Sequence, residues 1–314
     1  MPAQKTYPIA LAHGIARFDF LNDAIERESR KLFGDVFDRI LLHLANQGLS
    51  VVADGLHYFR GIESFLEADG FDVQATFVRF ANSVADRSAD LRAEVNRILQ
   101  ETKSPKIHII AHSMGGLDAR AMIARLGMAE RVASLTTIGT PHHGTSFADF
   151  KLTHGGSDLI NLVGKAIDLN GFNDLTRDAC QKFNDAVRDS EAANGVFYQT
   201  YASSEDREAV FVFLQMAWDI IKKEEQDDND GLVSLKSQAW QPEIVSADGK
   251  HKKQIVQKKF TVAADHLNEV GWWDLNELHG MNVFKAPGAR ERYETKIREI
   301  YRDIARDLRT RFPV

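Results

Sequence analysis

The chain has 314 residues, 44% of them hydrophobic, enough to bury a large core in one or two domains. Its formal net charge is −6 and it carries no basic cluster, zinc-like Cys/His spacing or phosphate-cradling glycine loop, which argues against nucleic-acid and nucleotide-phosphate roles. Cys180 is the only cysteine, so no intrachain disulfide can form, and no apolar run reaches the ~18 residues that a transmembrane segment needs.

Residues 8–12 form an apolar run that breaks at His13-Gly14, as a strand entering a loop does. From about 19 to 53, Phe33, Val36, Phe37, Ile40, Leu41 and Leu44 recur at helical spacing. That helix would lie near the mouth of a site or on the flank of a sheet. Phe71, Val73, Ala75 and Phe77 then alternate like a strand, and Val84, Leu91, Val95, Ile98 and Leu99 follow helical spacing. Pro105 precedes an apolar strand that ends near His112, and residues 132–138 and 196–202 read as two more strands. The chain closes on a long helix with Tyr293, Ile297, Ile300, Ile304 and Leu308 along one face and ion pairs opposite. No repeat, low-complexity tract or interdomain linker appears. The alternation predicts a single α/β domain over 1–314, with a mainly parallel sheet and helices on both faces.

The chemistry centres on Ser113, which ends the strand-like run and stands between Ala111 and Gly115. A strand that turns sharply into a helix lifts such a serine over the sheet edge, and the turn requires small residues two positions before and after it. Taken alone, the string suits an ordinary strand end equally well. Downstream, Asp230 is followed by Gly231-Leu232-Val233, where an acidic stretch dives back inward; Asp228 is the alternative acid. His266 follows the apolar run 260–264, which reads as a strand placing the ring at a sheet edge; His279 is the alternative base. The order Ser113, Asp230, His266 is that of the α/β-hydrolase fold. In that fold the backbone N–H groups of Ile15 and Met114 would form the oxyanion hole.

Several stretches carry a resemblance. They are the His13-Gly14 segment, residues 55–62, the Ser113 elbow, residues 132–144 ending Gly139-Thr140-Pro141-His142-His143-Gly144, and residues 229–233, with Asp265-His266 at the histidine position. Together they resemble the bacterial true lipases (triacylglycerol lipases) of the Pseudomonas–Burkholderia–Proteus group, over roughly residues 7–271. The resemblance implies a serine ester hydrolase of lipase type that cleaves acyl esters, acylglycerols among them, through an acyl-enzyme. Lipid or ester would be the partner, with transient contact at a lipid interface. An acyltransferase or thioesterase on the same triad, and a non-catalytic binder of apolar ligands, are the alternatives.

The resemblance also implies a helical lid within a cap segment of about 145–195. The best candidate is 155–171, where Leu159, Ile160, Val163 and Ile167 fall at helical spacing between glycines. A fixed core helix is the competing reading. Arg87 stands where the family has an arginine bracing the oxyanion loop, and an exposed helix arginine is the other reading. No cofactor is required. The family's structural calcium is doubtful here, because Asn268 replaces a charged ligand and Asp206 is only loosely spaced as the other. No set of metal ligands is therefore assigned. The polar start, 1–6, does not read as a signal peptide, so a cytoplasmic location is favoured and secretion stays open.

Overall fold

Six strands, the inner four with side chains buried on both faces, pair in parallel to form the central sheet, in a computed structural model that describes residues 6–15, 58–79, 82–154, 170–273 and 288–314. The strands are β1 (Ile9–Ala12), β2 (Val73–Ala75), β3 (Ile107–His112), β4 (Val132–Ile138), β5 (Phe197–Ala202) and β8 (Val256–Lys259). Their order is β2-β1-β3-β4-β5-β8, and every pairing is parallel. A small antiparallel pair, β6 (Glu243–Val245) and β7 (Lys252–Gln254), stands apart from this sheet.

Alternation along each strand sorts the residues into two cores. On one face Ile9, Leu11 and Ile110 cluster with Ile62 and Leu66 of α1 (Ile62–Ala68) and with Ile297 and Ile304 of the C-terminal helix (Ala289–Arg311). On the other, Ala10, Ile109, Ala111 and Leu135 meet Leu91, Val95 and Ile98 of α2 (Val84–Thr102) and Met122 and Ile123 of α3 (Met114–Arg125). Helices therefore cover both faces, as parallel strands require. Further along come α4 (Ser146–His154), α5 (Arg177–Ala193), α6 (Gln215–Glu225) and α7 (Leu235–Gln238), which makes the C-terminal helix α8 among those described. The expected face of α8 is buried at Ile297, Ile300, Ile304 and Leu308, while Arg290–Glu294 and Arg311–Asp307 pair on its outer side.

Two expectations need correction. The alternation from Phe71 to Phe77 yields a strand only over Val73–Ala75, and Phe77 is 73% exposed. Thr76 makes the last contact, donating from both N and Oγ1 to Leu11 O, and β1 ends one residue later. The apolar run 260–264 is not a strand either. Its neighbour β5 stops at Ala202, whose carbonyl accepts from Phe260 N, and past it the chains meet only where Ala264 N donates to Ser204 O, so no ladder continues among the described residues. The strand is the preceding polar stretch, β8, at the sheet edge, where lysines discourage further pairing. The run instead packs Phe260 and Val262 partly against the core and buries Ala264 fully, while Ala263 is exposed.

The predicted insertion at 19–53 lies outside the described residues, as does the candidate lid 155–171 apart from its last two residues. Within the 145–195 segment, α5 is packed on α3 through a buried Arg120–Glu191 ion pair.

Candidate active site

At the carboxyl end of β3 the chain reverses into α3 within one residue. Ser113 bears the cost, at φ 56° and ψ −136°, a conformation that L-residues rarely adopt. The tightness of this turn explains the small residues around it. A Cβ on Gly115 would lie 2.7 Å from both the Ala12 and the His13 carbonyl oxygens, and one on Gly14 would lie 2.6 Å from Ser113 Cβ. Only hydrogen fits at either place.

Two loops bring the other side chains to this point. Asp230 sits in a turn closed by its own carboxylate: Oδ1 accepts from Leu232 N (2.8 Å) and Val233 N (2.7 Å). Its Oδ2 lies 2.8 Å from His266 Nδ1 and accepts from Gln238 Nε2 at 3.1 Å. His266 N donates to Asp230 O, which ties the two loops together. With Nδ1–H directed at a carboxylate, His266 Nε2 is left as an acceptor, and it stands 2.9 Å from Ser113 Oγ. Ser113, His266 and Asp230 are all buried. Asp228, by contrast, is exposed and pairs with Lys222 on the surface. His279 lies outside the described residues.

Such a constellation can move a proton from a hydroxyl to an imidazole and back, which is the requirement for nucleophilic catalysis by serine. The family can be stated at this point, because residues 8–255 match the family model described as the alpha/beta hydrolase fold. The chain belongs to the α/β-hydrolase fold family. A Saccharomyces cerevisiae protein named triacylglycerol lipase 2 is 28% identical over 259 residues, spanning 81% of this chain and 73% of the yeast protein. A triacylglycerol lipase of Burkholderia plantarii is 39% identical over 151 residues, 47% of this chain and 33% of that one. Among solved structures, a metagenomic carboxyl esterase superposes with a TM-score of 0.58 at 15% identity, covering 98% of this chain and 76% of its own. That last likeness concerns the fold.

In this α/β-hydrolase, Ile15 follows β1 and lines a pocket with Ser113, and Met114, next to Ser113, opens α3; both backbones carry an N–H group. Neither has an acceptor among the described residues. Behind them, Arg87 is wholly buried rather than exposed, which decides between its two readings. Its Nε donates to Asp118 Oδ2, its NH1 to Arg79 O and its NH2 to His13 O, each at 2.8 Å. The His13 ring is spent as well, with Nδ1 2.8 Å from Gly14 O and Nε2 accepting from Val78 N. Burial and the Arg87 charge push the pKa of His13 down to about 4, so it is neutral at pH 7. Beside Ser113 and His266 opens an apolar pocket to which Ile15, Phe147, Phe172, Leu175, Leu232 and Val233 contribute.

The residues after His266, where the resemblance implies a calcium ion, are tied to one another by hydrogen bonds. Asn268 Oδ1 accepts from Asp265 N, and its Nδ2 donates to Trp272 O. Asp265 in turn accepts from the N–H groups of Phe211, Leu267 and Asn268. The loop thus closes on hydrogen bonds that engage Asn268 Oδ1 and both Asp265 carboxylate oxygens, and Asp206 is exposed.

Four residues of the site were not foreseen: Gln238, His112, Tyr58 and Glu269. Gln238 has no sequence signal, since it joins the site through α7. Glu269 does carry one, as a lone acid between Leu267 and the apolar Val270 and Trp272.

Proposed function

We propose that this α/β-hydrolase is a serine carboxylic ester hydrolase of lipase type, acting on acyl esters with acylglycerols as the natural class. The observation that carries the proposal is the unbroken chain from Ser113 Oγ through His266 to Asp230, at 2.9 and 2.8 Å. Ser113 Oγ attacks the ester carbonyl while His266 Nε2 takes its proton, and the charge that develops on oxygen is met by Ile15 N–H and Met114 N–H. The imidazolium, stabilised by Asp230, then passes its proton to the leaving alcohol, giving an acyl-enzyme. Water repeats the sequence on that ester, releasing the acid and restoring Ser113.

The apolar pocket beside Ser113 supports an acyl chain rather than a charged group as the part bound there. Curated relatives named triacylglycerol lipase support the same class. Among the described residues no helix is long and apolar enough to cross a membrane, so contact with lipid would be made at an interface. The candidate lid, with Leu159, Ile160, Val163 and Ile167, is the segment we assign to that contact.

Ser113→Ala tests the reading. The variant should fold normally and lose about four to six orders of magnitude in ester hydrolysis. Turnover close to wild type would place the chemistry elsewhere. A gain in wild-type rate on emulsified long-chain esters over soluble short ones would support the lipase form; short esters alone, with no gain from emulsion, would leave an esterase.

A further inference from the structure

Beneath the triad lies a second set of polar side chains that the mechanism above does not use. Glu269, in a single 3₁₀ turn over Asn268–Val270, is fully buried three residues after His266. Its Oε2 is 3.0 Å from His112 Nε2 and 3.7 Å from His266 Nδ1, and its Oε1 is 2.6 Å from Ser203 Oγ. His112 Nδ1 is 2.6 Å from the Tyr58 hydroxyl, and the His112 ring lies 4.5 Å from that of His266. Tyr58 is also hydrogen-bonded by the Gly14 backbone, in the oxyanion loop.

Counting protons fixes the charge state of this set. Ser203 Oγ lies 2.7 Å from Ala264 O as well as 2.6 Å from Glu269. A hydroxyl has one proton, and a carbonyl oxygen can only accept. With Glu269 ionised, two acceptors would compete for that proton and one short oxygen–oxygen contact would face lone pair to lone pair. With a proton on Oε1 every contact is filled. Tyr58 donates to His112 Nδ1, His112 Nε2–H to Glu269 Oε2, Glu269 Oε1–H to Ser203, and Ser203 to Ala264 O.

The surroundings agree. Burial and the nearby Asp230 and Asp265 carboxylates hold Glu269 well above the usual carboxylate range, against the Ser203 hydrogen bond. The other titratable groups facing it are His266, His112, which burial and His266 keep neutral, Tyr58, and Tyr301, whose hydroxyl donates to Glu269 O.

We propose that Glu269 is a proton-bearing positioning residue. As a neutral acid it joins the oxyanion loop, through Tyr58 and His112, to the loop that carries His266, and it leaves Asp230 as the anion to which His266 bonds. The inference rests on the Ser113–Asp230–His266 reading. A second carboxylate 3.7 Å from Nδ1 would stabilise the imidazolium and hold His266 protonated when it must accept the Ser113 proton. A neutral acid packs against the ring without that effect.

Glu269→Gln reproduces the donor and acceptor pattern, since its amide can donate to Ser203 and accept from His112. Hydrolysis of a soluble p-nitrophenyl ester by full-length wild type, E269Q and E269A is followed against pH, with S113A as control. The acid limb of kcat/KM in E269Q should coincide with wild type to within about 0.2 pH units, and E269A should lose about tenfold or more in kcat, a loss absent from E269Q. A shift of the E269Q limb to lower pH by about half a unit or more would show an ionised Glu269 and overturn the proposal. So would an E269A profile matching wild type. Infrared spectroscopy of the wild type at about pH 9 gives a second readout, a protonated-carboxyl C=O band that disappears in E269Q. Its absence from wild type overturns the proposal. The band is read without turnover, so it judges Glu269 separately even if S113A retained activity and the Ser113 reading fell.

Discussion

Arg87→Met separates bracing of the oxyanion loop from chemistry at the triad. The substitution keeps most of the apolar stem but removes three N–H donors that reach Asp118, Arg79 O and His13 O at 2.8 Å. Breaking one side of a buried ion pair costs about 3–5 kcal/mol, because the remaining charge is left in the interior. Asp118 is poised to soften that loss, since burial already raises its pKa to about 6 and it can take up a proton. We therefore expect R87M to lose about 3 kcal/mol at pH 7, the lower end of that range, and to lose less at pH 5. The double variant R87M/D118N, in which no charge is stranded, should recover part of the loss. Freed of its anchor at His13 O, the loop holds Ile15 N–H less accurately. Removing an oxyanion donor outright costs about 10²–10³-fold in kcat, so a displaced one should cost about tenfold to a hundredfold with KM little changed. Urea denaturation and initial rates on a short soluble ester measure the two effects. A variant within about 1 kcal/mol and twofold of wild type would show that Arg87 neither supports the fold nor positions the loop.

Asp230→Asn should reduce kcat by about 10⁴-fold by leaving His266 in the wrong tautomer, while Asp228→Asn, which breaks only a surface pair with Lys222, should leave rates within about twofold; a reversal in an ester assay would reassign the acid. Chelation should change neither activity nor melting temperature, because Asn268 and Asp265 close the loop after His266 with hydrogen bonds; a drop restored by added calcium would contradict this. Burial lowers the pKa of His108 to about 4, below its unfolded value of 6.5, so it stays neutral in the fold while the unfolded chain takes up a proton. Its contribution is present above about pH 6.5 and is lost as pH falls towards 4, so His108→Asn should flatten the fall in melting temperature across that window. An unchanged slope would assign the acid sensitivity to other groups.

The parallel core was legible because burial on both faces writes runs rich in apolar residues, as in β3 and β4, with buried polar residues such as His108 and Thr136 among them. Failures came where a strand's neighbour stops. The run 260–264 is apolar enough for a strand, but β5 ends at Ala202 and only Ala264 N reaches further, to Ser204 O, so no ladder extends along it, a fact set by the length of β5 and not by the run itself. Conversely, β7 and β8 are mostly polar and β6 is only three residues long, so they give no periodic signal. At the site, Ser113 and Asp230 announce themselves through the small residues and turns that their backbones need. Gln238, His112 and Glu269 act through contacts across 8, 157 and 66 positions of chain, which only the folded sheet brings together. Arg87 stood undecided in sequence because a helix pattern places a residue on a face without saying what covers it.

The central claim is that Ser113, made nucleophilic by His266, is where an ester carbonyl is attacked. Labelling with an active-serine fluorophosphonate and mapping the modified peptide tests this directly. One label per chain is expected, on Ser113, with reaction slowed sharply in a His266→Ala variant and absent in Ser113→Ala. Label on another residue, or labelling of Ser113 that proceeds unchanged without His266, would contradict it.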